Sequence, residues 1–291
     1  MTRHLVTGAS GQLGQAVIRH LLETSGVAAS DIVAVSRDIS RLEGLKAKGI
    51  ETREADFSAP EGLAGAFAGV DNVLIISTDA IGHRVAQHQA AINAAKQAGA
   101  ARLFYTSMLE PATSKVIFAP EHQATEEAIR ASGLAFTIFR NGWYMENLFA
   151  AMQGALPIGR WYSSAAEGRT SYIARDDIAR AIAAGLAAPE SDNTIYSLTG
   201  QEALTNQDIA ALISRITGKP LSQFTVSDEQ LAEGLKAVGL PAEVVPLLVS
   251  FDTATRAGDL SAISGDVERL TGTKPQTLEA FLEAHKERLG R

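Results

Sequence analysis

The 291-residue chain has no cysteine, which excludes disulfides, thiolate metal centres and a cysteine nucleophile. Positive charge is in deficit. With 26 Lys and Arg against 33 Asp and Glu the net charge is −7, which argues against nucleic acid or an anionic membrane as the main partner. No apolar run approaches the ~18 residues that span a bilayer. Nothing at the N-terminus has the pattern of a signal peptide, so a cytoplasmic protein without a membrane partner is expected. Repeats, low-complexity tracts and Gly/Ser linkers are missing, as is the Gly-x-Ser-x-Gly elbow of one large hydrolase class. His83 and His88 are five apart, a spacing that separates them on a helix, so no metal site is expected and both read as polar surface residues. What remains is ordinary globular composition, 46% apolar and 20% charged, long enough for one domain with an appended lobe or for two domains.

The most informative stretch is His4-Leu5-Val6-Thr7-Gly8-Ala9-Ser10-Gly11-Gln12-Leu13-Gly14. A short apolar run leads into three glycines at a spacing of three, and an amphipathic segment follows at once. This predicts a strand, a tight turn at Gly8, a close backbone approach to a pyrophosphate at Gly11, and close helix–strand packing at Gly14. The unpaired N–H groups of the helix start suit that anion. Strand-like and helix-like segments then alternate to about residue 140. Helices are predicted at 12–23, 40–48, 60–67, 82–98 and 121–132, and strands at 31–37, 50–56, 72–77, 102–106 and 135–140. The charged strand 50–56 belongs at a sheet edge, and the apolar strand 72–77 at its centre. Such alternation demands a parallel sheet with helices on both faces. The expected fold is therefore α/β: a doubly wound parallel Rossmann-type sheet with a smaller, mostly helical C-terminal lobe. Residues 1–142 form the dinucleotide domain, with 172–198 returning to it. Residues 143–171 and 199–291 form the substrate lobe, and a helix is predicted over 143–152.

The second strand ends in Ser36-Arg37. Arg37 can make paired hydrogen bonds to a 2′-phosphate, where a carboxylate would repel it, so NADPH is favoured over NADH. Asp38 reads as a turn residue or helix start. Asp56 suits the adenine amino group or, equally, a cap for the helix entered through Pro60. Ser77 and Thr78 lie within reach of cofactor ribose. His122, beside the carboxylates of a helix start, reads as part of that start.

Reductases of this fold commonly use Tyr-x-x-x-Lys, in which the lysine lowers the tyrosine pKa. The residues four beyond Tyr105, Tyr144, Tyr162, Tyr172 and Tyr196 are Leu109, Leu148, Ala166, Asp176 and Gly200, so none has the lysine and ordinary alcohol–ketone chemistry is disfavoured. The run Arg140-Asn141-Gly142-Trp143-Tyr144-Met145-Glu146-Asn147 follows the sixth strand, at the nicotinamide end. Its amide and aromatic groups suit a flat aromatic or quinonoid acceptor, although Trp143 serves equally as packing between lobes. A quinone that accepts hydride becomes a stabilised anion able to take its proton from water, so stacking the acceptor matters more than an acid. Ser107, Tyr144 and Asn141 are the candidate donors to that anion.

The chain resembles the NmrA-like group of atypical short-chain dehydrogenase/reductases, and within it the bacterial NADPH-dependent quinone oxidoreductases of the second type. The marks are Thr7 to Gly14, Val35-Ser36-Arg37, Gly82 to His88, Tyr105-Thr106-Ser107, Glu121 to Glu126, Arg140 to Asn147 and Val238-Gly239-Leu240-Pro241. The resemblance implies NADPH as donor, a quinone as acceptor, no flavin and no Tyr-Lys pair. It places Gly8, Ser10, Gly11, Gln12 and Leu13 on the pyrophosphate and Arg37 on the 2′-phosphate. The full set expected at the dinucleotide adds Thr7, Gly14, Asp56, Ser77, Thr78, Tyr105, Thr106, Asn141, Gly142 and Trp143. Phe118, Met145 and Phe149 are expected to shape the acceptor pocket. Triphenylmethane dye reductases share the Gly-Gln-Leu-Gly turn and the Tyr-Thr strand end, so a dye, azo or other xenobiotic acceptor is a second reading. A non-catalytic NADP(H) redox sensor of NmrA type is a third. A homodimer is the one macromolecular assembly left open.

Overall fold

A computed structural model describes residues 2–189 and 192–289, so the outermost ends of the expected units, at 1 and 290–291, lie outside the described residues. The first half alternates β1 (His4–Val6), α1 (Gln12–Glu23), β2 (Ile32–Ser36), α2 (Glu43–Lys46), β3 (Glu51–Glu54), α3 (Leu63–Ala66), β4 (Asn72–Ile75), α4 (Arg84–Gln97), β5 (Arg102–Met108), α5 (Ala119–Ser132) and β6 (Ala135–Asn141). Then follow α6 (Asn147–Ile158), β7 (Arg160–Ser163), β8 (Arg169–Thr170), α7 (Arg175–Ala187), β9 (Thr194–Leu198), β10 (Leu204–Thr205), α8 (Asn206–Thr217) and β11 (Ser222–Thr225). The chain closes with α9 (Asp228–Ala237), α10 (Val245–Ala257), α11 (Asp266–Thr271) and α12 (Leu278–Ala284).

Seven strands form one parallel sheet in the order β3-β2-β1-β4-β5-β6-β9. The charged strand β3 is an edge and the apolar β4 the middle strand, as their compositions dictate. Thr194–Leu198 returns to the sheet as the opposite edge. Alternate residues of each strand face opposite layers. Val6, Ala34, Leu74, Phe104 and Phe139 pack against α1 and α7. Leu5, Val33, Val73, Leu103 and Ile138 pack against α3, α4 and α5. Burial on both faces explains why these strands read as continuous apolar runs. A third core joins α6, α8 and α12 through Phe149, Met152, Ile213, Phe281 and Leu282.

Two expectations about local structure change. The stretches 40–48 and 60–67 each divide into a 3-10 turn followed by one turn of α-helix. The helix predicted at 143–152 begins only at Asn147. Residues 142–144 instead run alongside Ile173, and Met145-Glu146 form a turn into α6: Ile173 donates its N–H to Trp143 O, and Met145 donates to Ile173 O. Among the described residues no helix is long and apolar enough to cross a membrane.

Candidate functional site

The carboxyl edge of the sheet collects most of the predicted residues. Gly8 adopts a φ of 60°, the left-handed turn that a side chain would strain. Its carbonyl receives the Gly11 N–H at 2.9 Å, and Ala9 donates to Val35 O, which closes the turn against β2. A Cβ on Gly14 would stand 2.4 Å from Gly8 O and 2.9 Å from Ala9 Cα. Only glycine lets α1 lie this close. No side chain caps α1 and no acid occupies its first turn, so its N-terminal positive field is left for a ligand. Thr7 is buried, its hydroxyl accepting from Ile76 N at 3.0 Å, and thereby joins the ends of β1 and β4.

The end of β2 stands beside the turn. Ser36 Oγ donates to Ser10 Oγ at 2.9 Å. Arg37 is exposed and makes no ion pair or hydrogen bond among the described residues. Asp38 accepts from Ser40 N and Oγ, which makes it the turn residue expected. Arg41, a cation that the strand pattern gave no reason to single out, reaches Ser10 O at 3.4 Å from the following turn. Asp56 likewise holds a turn, accepting from Ser58 N at 2.8 Å. The residue before Pro60's turn is Ala59, so Asp56 is not its cap.

Behind the β4 end lies a polar network that corrects the surface reading of His88 and gives His122, at the start of α5, partners the sequence did not show. His88 is fully buried rather than on the surface: its Nε2 accepts from Thr78 N at 3.1 Å and its Nδ1 meets Thr125 Oγ1 at 3.0 Å. His122 is also buried, with Nδ1 2.8 Å from the Tyr105 hydroxyl and Nε2 3.3 Å from Arg84 Nη1. A peptide N–H and a guanidinium can only donate, so both Nε2 atoms are acceptors and both imidazole protons sit on Nδ1. Arg84 Nε donates to Thr78 O at 2.6 Å, so both main-chain polar groups of Thr78 are held. Burial, then the Arg84 guanidinium, lowers His88 to about 4 and His122 to about 3. An unfolded chain would protonate both near pH 6.5. Stability from their neutral burial is therefore whole above that pH and is lost as pH falls towards 4, by up to about 1.4 kcal/mol per pH unit for each. A profile of Tm against pH should steepen between 6 and 4, and His88→Gln should remove up to about one of the protons taken up on unfolding in that range. An unchanged slope would contradict the neutral burial of His88.

The structure separates the candidate donors. Ser107 lies on the α5 face of β5, where its hydroxyl donates to the fully buried Glu126 at 2.7 Å; Arg140 and Arg130 hold the same carboxylate. Ser107 is therefore no free donor, and it does not join the others. Tyr105 shares that face with its hydroxyl engaged, and Thr106 Oγ1 accepts from Ser77 N at 2.9 Å. Asn141 and Tyr144 do come together, Asn141 Nδ2 donating to the tyrosine hydroxyl at 3.4 Å. Asn141 Oδ1 and Thr78 Oγ1 are among the buried side-chain polar atoms that have no hydrogen-bond partner among the described residues. Burial raises the Tyr144 pKa, so its hydroxyl keeps its proton at neutral pH and can donate. Gly142 donates to Leu198 O at 2.7 Å, and a Cβ there would meet that oxygen at 3.0 Å.

Trp143 packs edge-on against Phe251 of α10, ring centroids 4.5 Å apart, and Phe118 packs against the same ring at 6.1 Å. Of the three residues expected to shape a pocket, only Phe118 belongs to this cluster. Met145 and Phe149 are withdrawn into the helical core, with Phe149 stacked on Phe281. No group of three or more His, Asp and Glu side chains among the described residues is placed to hold a metal ion.

Comparison with known proteins shows the family. The model of the NmrA-like family matches residues 2–282. Quinone oxidoreductase 2 of Escherichia coli (strain K12) is 37% identical over 273 residues, covering 94% of this chain and 95% of its own. The crystal structure of the E. coli NADPH-dependent quinone oxidoreductase complexed with NADPH superimposes with a TM-score of 0.93 at 36% identity, over 97% of this chain and 99% of that one. Triphenylmethane reductase from Citrobacter sp., complexed with NADP(H), gives a TM-score of 0.89 at 29% identity, over 97% and 99% of the two chains.

Proposed function

Because the chain belongs to the NmrA-like family, we propose that it reduces quinones to hydroquinones with NADPH, in one two-electron step, by direct hydride transfer without flavin or a Tyr-Lys pair. The observation that carries the reading is the pairing of Asn141 and Tyr144 at the carboxyl edge, with the asparagine carbonyl oxygen unpartnered. The residues present fit the cofactor. A glycine cradle that a Cβ would fill, an uncapped helix start and a free Arg37 match a pyrophosphate and a 2′-phosphate. When bound, NADPH supplies the hydride.

The chain's own residues do the rest. Ser10, Gln12 and Leu13 offer main-chain N–H groups to the pyrophosphate over the close backbone that Gly8 and Gly11 allow, Arg37 takes the 2′-phosphate, and Ser77, Thr78 and Asn141 present polar groups to the ribose and carboxamide. Trp143 and Phe118 give the acceptor apolar surface between the sheet edge and α10. Tyr144, protonated, donates to the acceptor oxygen that gains charge, and Asn141 Nδ2 supports that hydroxyl. Two electrons and one proton arrive with the hydride. The second proton comes from water, since the product phenolate is basic enough to take it. The lobe formed by 143–171 and 199–291 supplies the acceptor's side of the cleft, and 172–198 belongs with the sheet.

Replacing Tyr144 by Ala removes one hydrogen bond and one ring, together worth about 1–1.5 kcal/mol, so KM for a simple benzoquinone should rise about tenfold. KM for NADPH should stay within about twofold. Steady-state kinetics of both substrates check this, and equal effects would deny Tyr144 the acceptor role.

A further inference from the structure

Arg175 is absent from every expectation above, yet its side chain touches both halves of the site. It opens α7, and its main-chain N–H donates to both Glu146 oxygens at 3.2 Å. Its Nη1 donates to Gln12 Oε1 at 2.5 Å, across to the first residue of α1. Its guanidinium carbon stands 5.0 Å from the centroid of the Tyr144 ring, and Glu146 Oε1 lies 3.9 Å from Nη1. The mount is rigid. Ile178, Ala179 and Ile182 of α7 are fully buried, and Asp176 beside it takes both Arg19 and His20 of α1.

We infer that Arg175 is a positioning residue shared by the dinucleotide and the acceptor. Held by its oxygen, the Gln12 carboxamide turns its NH2, which has no partner among the described residues, towards an anion. That is the polarity a pyrophosphate oxygen needs. On its other side the planar cation lies over the Tyr144 ring and fixes the tyrosine that faces the acceptor. Affinity for the dinucleotide and affinity for the acceptor therefore both depend on one guanidinium. The inference rests on the reading of the site as one for NADPH and a quinone.

The test is a mutant cycle on the full chain. NADPH Kd is read by nucleotide fluorescence without acceptor, benzoquinone KM by loss of NADPH absorbance, and Tm by calorimetry. Arg175→Met should raise the NADPH Kd about tenfold and the benzoquinone KM about fivefold, with Tm within about 3 °C of the parent. Gln12→Ala should raise the Kd alone, and the double variant should show no more than the larger single effect, because the two act through one contact. Arg175→Lys should restore the Kd to within about threefold, a point charge sufficing for Gln12, yet leave the KM raised, because an ammonium cannot stack as the planar group does. Kd effects that multiply in the double variant, or an unchanged Kd in Arg175→Met, would overturn the inference. A parent chain that binds NADPH but never oxidises it with benzoquinone would defeat the acceptor reading instead, and the Kd cycle would still decide the role of Arg175 towards Gln12.

Discussion

A chain carrying Arg37→Glu should lose its preference for NADPH, the Kd rising about a thousandfold while that for NADH moves less than about threefold. The size follows from two contributions. Paired charge-assisted hydrogen bonds to a 2′-phosphate contribute about 2–3 kcal/mol, and a carboxylate in their place adds repulsion of about 1–2 kcal/mol at a solvent-exposed site. Arg37 is free to act this way because nothing among the described residues holds it, whereas the neighbouring Asp38 is turned onto Ser40. Arg41, resting on the Ser10 carbonyl, is the cation that would retain some affinity for the phosphates. Fluorescence titration with each nucleotide measures the ratio. A preference for NADPH that survives the substitution would remove Arg37 from the 2′-phosphate.

Gly14→Ala should be nearly as damaging, although alanine is the smallest change available. The new carbon would lie 2.4 Å from the Gly8 carbonyl oxygen and 2.9 Å from the Gly8 carbonyl carbon, all main chain with no side chain to swing aside. The helix cannot yield either, since Leu13, Val17, Ile18 and Leu21 are packed in the core. The turn must open, and its N–H groups leave the positions a pyrophosphate needs. NADPH affinity should fall by more than about a hundredfold, and overpacking of about 2–3 kcal/mol should lower Tm by roughly 5–10 °C. Gly11→Ala makes the matched control. Its Cβ meets only the Gly8 oxygen, at 3.2 Å, and its effect should be several times smaller. Binding titrations with parent affinity in Gly14→Ala would show that the turn is not the phosphate site.

The local part of this architecture was readable in one dimension. Each strand–helix unit announces itself by a change of period, so the sheet, its charged edge at β3 and its apolar centre at β4 follow from composition alone. The position of Arg37 was readable for the same reason, since it follows directly on the end of β2. What escaped depends on partners far along the chain. Residues 143–146 have helical composition, but pairing with the segment 171–173 draws Trp143 and Tyr144 alongside Ile173 and leaves Met145 and Glu146 as a turn. His88 looked like a surface residue because only the fold brings the Thr78 N–H to it, ten residues back. Ser107 looked like a donor until Glu126, which the sequence suggested was simply part of an acidic helix start, proved to hold its proton. Arg175 lies 163 residues from Gln12, and no spacing rule connects them.

The central claim is that NADPH passes two electrons straight to a quinone at a site built from Asn141 and Tyr144. It is tested most directly by anaerobic single turnover of the purified, flavin-free chain with NADPH and 1,4-benzoquinone, followed by absorbance of both reactants. The account predicts one hydroquinone formed for each NADPH oxidised, with NADH markedly slower. Tight NADPH binding without any oxidation, or turnover that appears only when flavin is added, would contradict it.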